Sequence, residues 1–157
     1  FDGENLLIAS ASGLYLAKPG AAARRLEALT DPSAVIAANG DAYVADRGAN
    51  LVLRVRGYAS AEATVTTFAA VNQPSGLLLN KQNLLVASQP SRSIEVFDLA
   101  SAARTGSLDL DFTPTRLDRM GSRSLALMND GSSEEPLFVL DYRDTLAAFF
   151  VPAGREQ

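Results

Sequence analysis

The chain has 157 residues, 47 % hydrophobic and 20 % charged, a balance that suits one folded domain with a buried core and excludes disorder as the default. With 14 basic and 18 acidic residues the net charge is -4, and no basic cluster exceeds the pair Arg24-Arg25, so no surface for nucleic acid is expected. The absence of Cys and His removes disulfides, thiolate chemistry, Cys/His zinc sites and any nucleophile activated by imidazole, and the longest apolar run, the six residues Leu146 to Val151, is too short for a bilayer-spanning helix.

In chain order, the first apolar stretches are Asn5 to Ser10 and Gly13 to Ala17, both read as strands. Ala21 to Leu29 has high intrinsic helix propensity, yet its place in the pattern is that of an outer strand, which is the expected state. Strands are then expected near 34–38, 42–46, 51–56 and 64–70, with turns at Asn39-Gly40 and from Asp46 to Asn50. The segment from Pro32 returns at Pro74, 42 residues on, where Pro74 to Ser88 and Ser93 to Phe97 match it. A more degenerate copy runs from Pro114, 40 residues further, through Leu125 to Asn129 and Leu137 to Asp141. Asn5 to Ala17 is a partial copy that precedes them.

Each copy reads as four antiparallel strands. Leu84 to Ala87 is apolar on consecutive residues, so both faces of its sheet need cover, whereas Leu108-Asp-Leu-Asp-Phe112 alternates and reads as a charged outer edge strand. Small sheets stacked face to face with a period near 40 residues predict an all-β fold of β-propeller blades, about four, the first incomplete. The expected blades are 1–30, 31–72, 73–112 and 113–157, with fifteen strands in all.

Pro32 to Val55 resembles an NHL repeat: Pro32, Gly40, Tyr43 to Asp46, Asn50 and Arg54 fall where that pattern has its Pro, turn Gly, Tyr-Val-Ala-Asp-like strand, Asn and Arg. The next copy departs from it with Ser88 and Glu95. The resemblance implies a propeller, in a family that spans scaffolds, RNA binders and a few enzymes.

Alignment of the copies places Asp2-Gly3 at a hairpin turn, so the innermost strand of the first blade is expected to be missing. Three readings stay open: a segment of a longer propeller, two chains that close one ring, or a four-bladed ring. A ring of six to eight blades needs roughly 240 to 330 residues at this period.

Ligands of propellers dock on the face that carries the interblade loops and the hairpins between second and third strands. Asp31, Asn72, Gln73 and Thr113 belong to the former, and Asp46, Arg47, Asn50, Arg92, Asp130, Glu134 and Glu135 to the latter. Asp46 and Asn50 suit Asx-type turn roles. Arg47 and Arg92, in equivalent loops, would together clamp a carboxylate or phosphate. The acidic loop Asn129 to Pro136 lacks the spacing of a calcium loop. The favoured function is therefore a non-catalytic binding or scaffolding propeller for a protein, peptide or carbohydrate, with no cofactor, no membrane or nucleic-acid partner, and further blades or a second chain completing the ring. The alternative is a metal-dependent hydrolase of the lactonase or strictosidine-synthase kind, for which only Asp118 supplies an inward carboxylate. An extracytoplasmic location is slightly favoured, and the lack of Cys is compatible with it and equally with chance.

Overall fold

A computed structural model describes residues 5–120, 125–130, 137–142 and 146–150. They form fifteen strands: β1 (Leu6–Ser10), β2 (Gly13–Ala17), β3 (Arg24–Glu27), β4 (Pro32–Ala38), β5 (Asp41–Asp46), β6 (Leu51–Arg56), β7 (Thr64–Ala70), β8 (Pro74–Asn80), β9 (Asn83–Ser88), β10 (Ser93–Asp98), β11 (Arg104–Asp109), β12 (Pro114–Arg119), β13 (Leu125–Asp130), β14 (Leu137–Asp141) and β15 (Ala147–Phe150). Consecutive strands pair antiparallel in one three-stranded sheet, β1 to β3, and three four-stranded sheets. These sheets are the blades expected from the repeat. Asp2-Gly3, the predicted turn, lies outside the described residues.

The β4–β5 hairpin closes on Asn39 and Gly40, both at positive φ (54° and 81°), the two-residue turn whose twist matches that of the strands. Within the segment 21–29, Arg24–Glu27 forms a strand because its tertiary contacts outweigh local preference: Leu26 packs on the layer between the first two blades, and Arg24 donates from Nη1 to the carbonyl of Ala61 and from Nη2 to those of Tyr58 and Ser60. One boundary differs from expectation. The outer strand of the third blade is Arg104–Asp109, not 108–112, since β11 must run opposite all of β10, pairing Arg104 with Phe97 and Asp109 with Ser93. The alternation from Leu108 to Phe112 still appears as half-buried or buried apolar residues between exposed Asp109 and Asp111.

Three apolar layers separate the four sheets, and alternate residues of one strand feed different layers. Ala42 and Val44 point into the first layer with Leu14 and Leu16, while Tyr43 and Ala45 point into the second with Leu84 and Val86. Leu85 and Ala87 then enter the third with Leu117 and Leu140. This is why the sequence of β5 and β9 is continuously apolar. Edge-on aromatic contacts seat the second layer, Tyr43 against Phe68 at 5.1 Å and Phe68 against Phe97 at 6.1 Å between ring centres.

The first strands of the second to fourth blades lie side by side and are tied together at a repeated irregularity. Each pairing slips just after the initial proline, between Pro32 and Ala34, Pro74 and Gly76, and Pro114 and Leu117. The slip is a bulge, and it frees the residue after the proline to bond sideways. Ser33 donates its hydroxyl to the Pro74 carbonyl, and Ser75 donates to the Pro114 carbonyl, both at 2.6 Å. Gly76 permits the approach, since a Cβ there would stand 2.7 Å from the Leu117 backbone nitrogen.

Candidate functional site

The interblade connectors and the hairpins joining second to third strands meet on one face, as the repeat predicts. The carboxylate of Asp46, 3 % exposed at the end of β5, accepts from the backbone N–H groups of Thr30 and Asp31 at 2.8 Å each and of Ala49 at 3.3 Å. The hairpin is thereby fastened to the connector from the preceding blade. In the next blade Ser88 takes this position and donates instead to the Asn72 carbonyl. Asp130 ends β13 in register with Pro114, as Asp46 is with Pro32 and Ser88 with Pro74.

Asn50, at φ 57°, accepts the N–H of Gln73 on its side-chain oxygen at 2.9 Å and the N–H of Val71 on its carbonyl. Asp46 and Asn50 thus hold the loop framework, the Asx-type role their short polar chains suit. Arg47 lies against Asp31, with Nε and Nη2 on the two carboxylate oxygens at 2.8 and 3.1 Å. This forked hydrogen bond holds the Asp31 carboxyl below its usual range and raises the Arg47 guanidinium further.

The Arg47/Arg92 clamp needs revision on this geometry. Arg92 corresponds to Asn50 rather than to Arg47: its N–H bonds the Gln89 carbonyl as that of Asn50 bonds Arg47, and its carbonyl receives Leu110 as that of Asn50 receives Val71. Arg47 already pairs with Asp31 through Nε and Nη2, so its charge is matched within the protein and it is not the free partner of Arg92 that a two-arginine clamp assumes. Arg92 is exposed, and its guanidinium makes no ion pair or hydrogen bond with the described residues. The side chains of exposed Asn72 and Gln73 are likewise uncommitted there. Thr113, in the connector before Pro114, is half-buried, while Glu134 and Glu135 lie outside the described residues.

Two further grooves went unread in the sequence. On the opposite face, Asp41 receives Arg54 through Nε at 2.8 Å and Nη2 at 2.6 Å, while Arg54 Nη1 reaches the Leu99 carbonyl of the next blade at 3.2 Å. A groove of about 370 Å³ lies over this latch, lined also by Tyr43, Lys81 and Asp98. The signal was available, because Arg54 fills the Arg place of the repeat pattern directly across from Tyr43. The second groove, about 410 Å³, runs along the first strands past Ser33, Ser75, Arg116, Leu117 and Asp118. Here Asp118, the one inward carboxylate expected from sequence, is paired with Arg116 at 2.7 Å.

No protein-family model matches the chain, and no curated protein matches it in sequence. Solved structures do match. The chain superposes on a streptogramin B lyase over 97 % of its own length and 53 % of that one, with a TM-score of 0.76 at 13 % identity. A chain of a nidogen/laminin complex is matched over 88 % of this chain and 56 % of that one, TM-score 0.73 at 15 % identity. A regucalcin from Agrobacterium tumefaciens, titled a calcium-binding protein, gives 78 % and 46 %, TM-score 0.63 at 13 % identity. The fold is a β-propeller. The chain spans about half the length of these propellers, which include both enzymes and binding proteins.

Proposed function

We propose that this propeller is a non-catalytic binding or scaffolding module that presents its loop face, centred on Arg92, Asn72 and Gln73, to a protein, peptide or carbohydrate partner. One observation carries the reading. Arg92 sits at φ 46°, a left-handed position that Asn50 fills in the preceding blade and that Asn tolerates far better than Arg. Asn50 uses its side chain to hold the next connector, whereas Arg92 leaves its guanidinium in solvent. A long cation kept in a turn that disfavours it, its side chain making no hydrogen bond or ion pair with the described residues, suits recognition of an external carboxylate or hydroxyl-rich group.

The NHL-like pattern of Pro32 to Val55 supports the same reading at blade level: Asp46, Asn50 and Arg54 each do framework work. The hydrolase alternative gains less support, because the Asp118 carboxylate is committed to Arg116.

The test is a glycan array and an immobilised peptide library screened with the wild-type chain, then with Arg92→Ala and Gln73→Ala. A ligand class retained by wild type and lost by both variants, with unchanged circular dichroism, is the expected result. Retention by both variants, or no ligand in either screen, overturns the reading.

A further inference from the structure

The groove over the Asp41/Arg54 latch opens where the middle apolar layer departs from its neighbours. In the first and third layers a buried tyrosine arrives from the segment after a blade's third strand, Tyr58 and Tyr142, and a leucine stands in the second strand, Leu7 and Leu85. In the middle layer the two are exchanged. Tyr43 takes the strand position, and Leu99 follows the third strand. Leu99 fills less of the seam than a tyrosine would, and the groove of about 370 Å³ lies there, towards the small end of ligand sites, roughly 300–1,000 Å³. Every lining residue belongs to the second or third blade, so its walls do not depend on how the ring is completed.

Hydrogen-bonding capacity around the groove is unevenly spent. The Asp41 carboxylate accepts Nε and Nη2 of Arg54 on one oxygen and the Gly57 N–H on the other. Oδ1 of Asp98 accepts the N–H groups of Ala100 and Ser101 and the Ser101 hydroxyl. Donors are left over. Arg54 uses one N–H of each terminal nitrogen, which leaves the second on each unspent, and the Lys81 ammonium makes no hydrogen bond or ion pair with the described residues. Tyr43 is 3 % exposed, its ring set edge-on against Phe68 with the Arg54 guanidinium over it, yet its hydroxyl makes no hydrogen bond with the described residues and opens on the groove. Burial raises the pKa of this phenol, so at neutral pH it keeps its proton and can donate. An acceptor placed in the groove would recover the cost of that unmade bond. Charge sets the kind of acceptor. Arg54 and Lys81 balance Asp41 and Asp98, and exposed Arg56, whose charge reaches the Tyr43 hydroxyl, leaves one positive charge over. That surplus matches a single negative charge better than a phosphate dianion, and Ala38, Leu99 and Ala100 offer an apolar wall to a short hydrocarbon body. We propose that this groove binds a small monocarboxylate, its carboxylate held by Lys81, Arg54 and the Tyr43 hydroxyl and its alkyl part laid against Leu99.

The test is an NMR titration of the isotope-labelled chain with sodium butyrate, run beside butyramide, its uncharged counterpart, and inorganic phosphate. Butyrate is expected to give saturable amide shifts at Gln82, Leu99 and Ala100 with a millimolar dissociation constant, and butyramide none. Tyr43→Phe keeps the ring and its contact with Phe68, and Lys81→Met keeps an exposed chain of similar length, so both variants should fold. Each is expected to weaken butyrate binding about tenfold, with the rest of the spectrum unchanged. Arg92→Ala, on the opposite face, should bind butyrate as wild type does. No saturable response to butyrate, an equal response to butyramide, tighter binding of phosphate, or full affinity in either groove variant overturns the proposal. None of these outcomes depends on whether the Arg92 face binds a ligand.

Discussion

Ser75 donates its hydroxyl to the carbonyl of Pro114 at 2.6 Å, from the inner strand of one blade to the first residue of the next. Ser33 repeats the bond to Pro74. The two bonds make a relay across the inner wall, and its sequence trace is the serine directly after Pro32 and after Pro74.

Ser75 is buried, so Ser75→Ala leaves the Pro114 carbonyl without its donor and should cost about 1–2 kcal/mol by urea denaturation. Ser33 is less buried, and Ser33→Ala should cost less. A larger loss for Ser33 than for Ser75 would contradict this account.

Asp46→Asn keeps the size of the side chain but replaces one of two accepting oxygens with a donor that confronts a backbone N–H. A loss of about 1–3 kcal/mol is expected, with faster amide exchange at Thr30 or Asp31. Unchanged exchange at both amides would show that Asp46 is not what fastens the connector.

Gly76→Ala puts a methyl 2.7 Å from the Leu117 backbone nitrogen, and backbone cannot rotate aside as a side chain does. Overpacking of this kind costs about 1–3 kcal/mol, so the melting temperature should fall, while Gly106→Ala, at a site with open space, should leave it nearly unchanged.

The Asp31 carboxyl, lowered by Arg47, is expected to titrate below a model carboxylate in an NMR pH series, and Arg47→Met should return it towards the ordinary range. A depressed folded-state pKa means that the contribution is present above the unfolded pKa and fades as pH falls through the folded one. With side chains 38 % and 48 % exposed, the pair should add little to stability at neutral pH, and the Arg47→Met midpoint in urea should lie close to wild type.

Arg54 serves two blades at once, and Arg54→Lys tests this. A lysine ammonium cannot hold Asp41 through two nitrogens and also reach the Leu99 carbonyl, so a loss of about 1 kcal/mol is expected despite the retained charge. Equal stability would reduce the latch to a simple charge contact.

Blade architecture was legible because it is written in two strong signals, the prolines at 32, 74 and 114 and strands apolar on consecutive residues. Even the helix-prone stretch around Arg24 yielded to its place in the repeat. Site geometry was less legible, because it depends on partners distant in sequence. Nothing local to Arg47 reveals that Asp31, 16 residues earlier, occupies its guanidinium, whereas the 42-residue offset of the repeat already sets Arg92 on Asn50, in agreement with the turn hydrogen bonds. The Arg54 bond to Leu99 spans 45 residues, a separation that reflects the repeat length rather than any local motif.

Strands such as β9, greasy on both sides, carry a cost in specificity. In an ordinary half-exposed sheet a slip of one residue turns oily groups to water and is punished at once. If β9 slid by one place, Leu84, Leu85, Val86 and Ala87 would merely exchange compartments, each still dry. Hydrophobicity therefore cannot choose the alignment of these ladders, and the choice falls to their ends: the two-residue hairpins at Asn39-Gly40 and Lys81-Gln82 at one, and at the other the kinks after Pro32 and Pro74, where a misplaced Ser33 or Ser75 would find no acceptor. These few polar atoms act as the indexing pins of an otherwise slippery stack.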